Sequence, residues 1–289
     1  MEVVTNEKRK DYEVMTKRFG FSAMHTAKCQ GFTLAEVLIT LGIIGVVAAM
    51  TIPTLISNTN GAKFRSQFKK TLSTLNQAGL MSQAQYDFDY AGTTAGCGAK
   101  TGTGDNAAAS DPATENPEST MTFCAILNGT LTGQTYLGKV STIKRSKNGE
   151  EETYTLKAEK GVLKNNTIKD YLAYSLADGA IVAFDPNAQG CELPIGTRMS
   201  ADTLGKAPLK NCLGFIDVNG ATLPNKEVTC SAGGEGDASV AGKATNAVET
   251  PCVVKNDANH MTDVFPIVFH DATVEPASNA AKYVLTTSK

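Results

Sequence analysis

Tryptophan is absent from this 289-residue chain, histidine occurs three times, and charged residues make up only 19% of it. Each shortage excludes something. His25 sits near the N-terminus, His260 and His270 have no second ligand pair for zinc, and no C-x-x-C spacing occurs among the cysteines. His270 and Asp271 are sequence neighbours, yet no serine sits in a G-x-S-x-G elbow and no Walker-type or dinucleotide-binding glycine pattern exists. With no catalytic constellation, the chain is expected not to be an enzyme. A formal net charge of −2 removes the electrostatic case for nucleic acid.

Charge is missing most conspicuously after Glu36, because no charged residue follows until Lys63. The apolar run from Phe32 to Ile56 holds about 25 residues, about 37 Å as a helix, enough to cross roughly 30 Å of hydrocarbon. A carboxylate at the head of such a run is costly in lipid and marks a functional position. The run is too long for the apolar core of a secretory signal, and no A-x-A site follows it cleanly. Residues 1–31 carry six basic side chains (Lys8, Arg9, Lys10, Lys17, Arg18, Lys28) against four acidic ones (Glu2, Glu7, Asp11, Glu13). This polar leader is expected to stay in the cytoplasm, although Lys63, Arg65, Lys69 and Lys70 weaken the charge bias across the span. Met15 and Met24 are alternative starts, and Met24 would give a short leader.

The segment Gln30, Gly31, Phe32, Thr33, Leu34, Ala35, Glu36, Val37, Leu38, Ile39 closely resembles the processing site of type IV pilins and type II secretion pseudopilins. The resemblance implies cleavage by a prepilin peptidase between Gly31 and Phe32, N-methylation of Phe32, and Glu36 as the assembly carboxylate. Gly45 and Pro53 match a glycine and a proline that interrupt the family's helix. It further implies an inner-membrane, single-pass precursor with its head outside the cytoplasm, later a periplasmic or extracellular filament. The implied partners are copies of itself, other pilins or pseudopilins, the peptidase/methylase, the assembly machinery and the bilayer. Leu34, Val37, Leu38, Leu41, Ile44 and Val47 would pack the filament core. The alternatives in role are a minor adhesive pilin, suggested by the large head, and a signal-anchored exported enzyme.

The expected fold is α+β: a long N-terminal transmembrane-plus-amphipathic helix packed on an antiparallel β-sheet head, with disulfide-stapled loops. Residues 1–31 form the leader and 32–90 the helix, transmembrane over 32–56 and amphipathic over 57–90. Residues 91–289 form the head, with an insertion at 229–260. Phe64, Phe68, Leu72, Leu75 and Leu80 make the apolar stripe of the amphipathic half. Residues 91–120, rich in Gly, Thr, Ala, Ser, Asp and Pro, read as a loop or poorly ordered segment tied down at Cys97. Residues 122–127 suit a short helix or strand. Strands are expected near 135–140, 153–158, 213–218 and 264–269, and a last short element at 277–285. A hairpin joins 171–176 to 180–184 through Asp178 and Gly179.

Cys29 lies in the leader, which leaves Cys97, Cys124, Cys191, Cys212, Cys230 and Cys252 for disulfides in an exported head. Fifteen pairings are open, and joining neighbours is the simplest. No cofactor is certain; calcium is the candidate. Asp217, Val218, Asn219, Gly220 followed by Pro224 and Asn225 resembles a D-x-N-G…P-N element of pilin-like heads, in which an Asp-x-Phe pair follows closely. Here Asp263, Val264, Phe265 would supply it, beyond the insertion. Asp217, Asn219 and Asp263 are the candidate calcium ligands. The alternative is a tight Asn219-Gly220 turn capped by the Asp217 side chain.

Overall fold

The structure, a computed structural model, describes residues 31–101, 108–147, 149–158, 161–165, 168–195, 207–231, 252–255 and 261–287. The leader up to residue 30 and most of the expected insertion lie outside them. The chain divides into two units, Met1–Ala48 and Ala49–Lys289. Helix α1 (Leu34–Tyr86) supplies the described part of the first and opens the second.

In the first unit the helix is apolar on every side and buries almost nothing: Leu34 is 76% exposed, Leu38 61% and Ile44 63%. By length and composition it can cross a membrane. The expected interruption at Gly45 and Pro53 is absent, since α1 is continuous through both residues. Proline removes only its own N–H, so one carbonyl loses its donor while the turns on either side keep theirs. Glycine merely lowers helix propensity, and the branched residues beside Gly45 continue the run.

In the second unit, α1 turns one face to the sheet. Phe64, Phe68, Leu72 and Leu75 are buried as expected, but Leu80 is 57% exposed. The face continues through Ala78 and Ser82, because three and seven residues past Leu75 stay on the stripe whereas five do not. The helix stops at Tyr86, four residues short of the expected end, where Asp87 takes φ 61° and turns the chain away.

Two-residue strands β1 (Lys100–Thr101) and β2 (Ala108–Ala109) pair with each other. Helix α2 (Phe123–Thr130) follows, capped by the Thr122 hydroxyl, which accepts from the Ala125 N–H at 3.0 Å. Next come β3 (Thr135–Lys139), the hairpin β4 (Lys144–Lys147) and β5 (Glu150–Thr153), β6 (Leu172–Ser175) and β7 (Ile181–Phe184). Strands β8 (Leu213–Asp217), β9 (Val264–His270) and β10 (Thr273–Pro276) precede helix α3 (Asn279–Thr286). Six strands form one antiparallel sheet in the order β10-β9-β8-β7-β6-β3. The Asp178-Gly179 hairpin forms, with Gly179 at φ 84°. The strand expected at 153–158 is displaced: β5 ends at Thr153, and Lys157 makes only an isolated bridge to Lys226.

Strands β7, β8 and β9 are buried on both faces. One face meets α1 and α2: Phe68 stacks on Phe265 at 4.3 Å between centroids, and Tyr90, Phe123, Phe184 and Phe269 form one aromatic cluster. The Tyr90 hydroxyl donates to the Leu75 carbonyl at 2.8 Å, tying the end of the helix into that cluster. Asn76 binds the β10 backbone twice, donating to Val274 O at 3.2 Å and accepting from Val274 N at 2.6 Å. The other face lies under irregular segments that include Tyr171, stacked on Phe215.

Candidate functional site

At the N-terminus, Gly31, Phe32 and Thr33 precede the first helical turn, and Phe32 is 87% exposed. Thr33 and Glu36 form a reciprocal cap. The Thr33 N–H and hydroxyl both donate to Glu36 Oε2 at 2.8 Å, and the Glu36 N–H donates to Thr33 Oγ1 at 3.2 Å. The T-x-x-E spacing from Thr33 to Glu36 is the sequence signature of this cap. A side-chain carbon added at Gly31 or Gly45 meets nothing within 4 Å, so neither glycine is demanded by packing within this chain.

On the far face of the sheet, Asp217, at the end of β8, and Asp263, just before β9, are both wholly buried. Asp217 accepts from the Tyr154 hydroxyl at 2.7 Å and from the Asn219 N–H at 3.3 Å, so the Asx turn exists. Gly220, at φ 68°, completes that turn; an added Cβ would lie 2.7 Å from the Gly179 carbonyl. Asp263 accepts from the Asn225 N–H at 2.9 Å and the Lys226 N–H at 2.7 Å. Burial, and then the neighbouring Asp263 carboxylate, push Asp217 well above the usual carboxylate range. Burial pushes Asp263 up to about 6, against the pull of its backbone donors and the Asn219 side chain. Burial also raises the Tyr154 phenol well above its usual value, with Asp217 next in effect. Beside these carboxylates, Asn219 Oδ1 and Asn225 Oδ1 are buried without a hydrogen-bond donor.

A third acid, Glu227, is buried one strand-bridge away from Val264. It accepts from the Leu163 N–H at 3.2 Å and lies against Gly161, where an added Cβ would collide with its carboxyl group. Burial drives Glu227 up to about 7 despite backbone donors from Leu163 and Val162.

Residues 26–52 match the family model described as the prokaryotic N-terminal methylation motif. The chain carries the type IV pilin/pseudopilin signal. Neither a curated protein nor a solved structure matches it. The pilin-type motif implies processing by a prepilin peptidase and assembly with other pilins, and with the exposed apolar helix it fits a membrane-anchored protein. Three disulfides staple the head: Cys97–Cys124, Cys191–Cys212 and Cys230–Cys252.

The described residues of 91–120, a span expected to be a loop or poorly ordered segment, form turns held around Glu115. That buried carboxylate accepts from Gly98 N–H at 2.7 Å, Ser110 Oγ at 2.6 Å and the Thr122 hydroxyl. Its sulfur neighbours Cys97 and Cys124 are consumed in a disulfide, so this cluster offers no metal site in the oxidised head. His270 meets Asp271 at 3.0 Å, with no nucleophile among its hydrogen-bond or ion-pair partners.

Proposed function

We propose that this protein is a structural prepilin-like subunit of a type IV pilus or a type II secretion pseudopilus. Prepilin peptidase cuts between Gly31 and Phe32, the new α-amine of Phe32 is methylated, and the chain assembles through α1 with its head outside the cytoplasm. The observation that supports this most is the methylation motif at the head of a helix whose apolar residues up to Ile56 have no cover among the described residues. Lipid covers them before assembly, and the same helices of neighbouring subunits cover them afterwards. Glu36 meets the Phe32 amine of a neighbour, because an unpaired carboxylate in that medium costs several kcal/mol. Within one chain the Thr33 cap shields it only in part. The role is assembly and not catalysis. Glu36→Ala is expected to leave processed protein in the membrane with no filaments, seen by mass and electron microscopy. Wild-type filament yield in that variant would refute the Glu36 role.

We further propose that Asp217, Asn219 and Asp263 hold calcium, with Asn225 as an additional oxygen ligand. The donor set fits a hard cation: two buried carboxylates, of which Asp263 raises the charging cost of Asp217, and two amide oxygens lacking donors. Bound calcium would neutralise the pair. A calcium titration followed by thermal melting tests this: a rise in melting temperature that is lost in Asp263→Asn is expected, and no rise on adding calcium would refute the site.

A further inference from the structure

The hairpin of β4 and β5 stands outside the main sheet. Among the described residues, neither strand pairs with anything but the other. Its charges are sorted by strand. Lys144, Arg145 and Lys147 lie on β4, and Glu150, Glu151 and Glu152 lie on β5. Within the hairpin, Lys144 pairs with Glu151 at 2.8 Å and Arg145 with Glu152. The Tyr154 N–H donates to the Ile143 carbonyl at 2.8 Å, which sets the phase of the ladder. Backbone groups of Lys144 and Ser146 therefore face away from β5, and those of Glu151 and Thr153 face away from β4. The side chains of Lys144 and Glu151 are more than half exposed despite their pairing.

We propose that this hairpin is a docking edge between copies of the chain, the β4 edge of one subunit adding to the β5 edge of the next. An exposed edge strand is a template for another strand, and charge of a single sign is the usual guard against that. Here the signs are segregated instead. Two β4 edges, or two β5 edges, would set like charges opposite one another, which excludes the symmetric pairing of two copies. Only β4 against β5 brings opposite charges together. That contact is heterologous: it leaves a free edge at both ends and propagates without closing, as a filament requires. Strands of four residues make a small interface, effective only once α1 has concentrated the subunits in the membrane or filament. The inference rests on the filament-subunit reading above.

The test uses two full-length variants: K144E/R145E/K147E, whose hairpin is wholly acidic, and E150K/E151K/E152K, whose hairpin is wholly basic. Differently tagged copies are co-expressed, and their association is read in isolated membranes at low salt by cross-linking between the tags. Wild-type copies are expected to associate with each other, and the association weakens as salt rises. Each variant alone loses about tenfold or more of it. Mixing the two variants restores it, although neither regains its own internal pairs, so the rescue must run between chains. Variants that self-associate like wild type, a mixture no better than either alone, or wild-type copies that do not associate would each overturn the docking edge. Processing at Gly31, read by mass in the same samples, reports separately on the filament-subunit reading.

Discussion

Lowering the pH should stabilise the calcium-free head, the reverse of ordinary acid denaturation. Asp263 and Glu227 titrate at about 6 and about 7 in the folded chain, above their ordinary values of 3.8 and 4.5. A carboxyl whose folded pKa is raised binds more protons folded than unfolded at any pH between the two values. Its burial cost is therefore fully present above the folded pKa and is relieved as pH falls through it toward the unfolded one. Between pH 8 and pH 5, linkage gives about 1 kcal/mol of relief from Asp263 and about 2–3 kcal/mol from Glu227. Taken as roughly 3 kcal/mol together, this raises the melting temperature by about 6–12 °C for a head of this size. The assay is thermal unfolding of the detergent-solubilised chain in EGTA, followed by near-ultraviolet circular dichroism. Equal stability at pH 5 and pH 8, or lower stability at pH 5, would refute the desolvation argument. Repeating the series in millimolar calcium separates the two ideas. If Asp217 and Asp263 bind the ion, the gain on acidification shrinks; an unchanged gain leaves the buried acids standing and removes the calcium site.

Three further expectations follow from packing and capping. Phe68→Ala should cost about 3–5 kcal/mol, since the ring is fully buried against Phe265; denaturant unfolding at fixed pH reads it. Glu115→Ala leaves Gly98 N–H, Ser110 and Thr122 without their shared acceptor and should cost about 2–3 kcal/mol; cleavage of the 91–120 stretch under limited proteolysis is the readout, and an unchanged digest would contradict it. Gly161→Ala drives a methyl into the carboxyl end of the Glu227 side chain and should destabilise by about 1–3 kcal/mol unless paired with Glu227→Ala, a rescue that a double-mutant cycle would detect.

What could be foreseen from residues alone was local and contiguous. The N-terminal methylation motif falls within the single stretch 26–52, and the Asp178-Gly179 turn sits between the two strands it joins. Helix period placed Phe64 to Leu75 on the buried face, and failed at Leu80 because the stripe there is carried by small residues, Ala78 and Ser82. Pairs distant in sequence left no such trace. Tyr154 reaches Asp217 across 63 positions, and Glu115 gathers donors from Gly98 to Thr122 with no spacing that announces it. Composition marked 91–120 as a loop tied at Cys97, as its described residues are, but gave no sign of the buried carboxylate of Glu115 that they wrap beside the disulfide. The β4–β5 hairpin was missed for a related reason: the residues flanking Asn148 and Gly149 are charged on both strands, so the alternation that marks a half-buried strand never appears.

The central claim is that the working chain begins at Phe32. Intact-mass and N-terminal fragment analysis of the membrane-extracted protein tests it directly. The expected result is a mature chain starting at Phe32 with one added methyl and six cysteines oxidised, and a retained leader in Gly31→Ala, whose fold should be otherwise unchanged because the added methyl meets nothing. A wild-type chain that keeps its leader, or is cut elsewhere, would contradict the account.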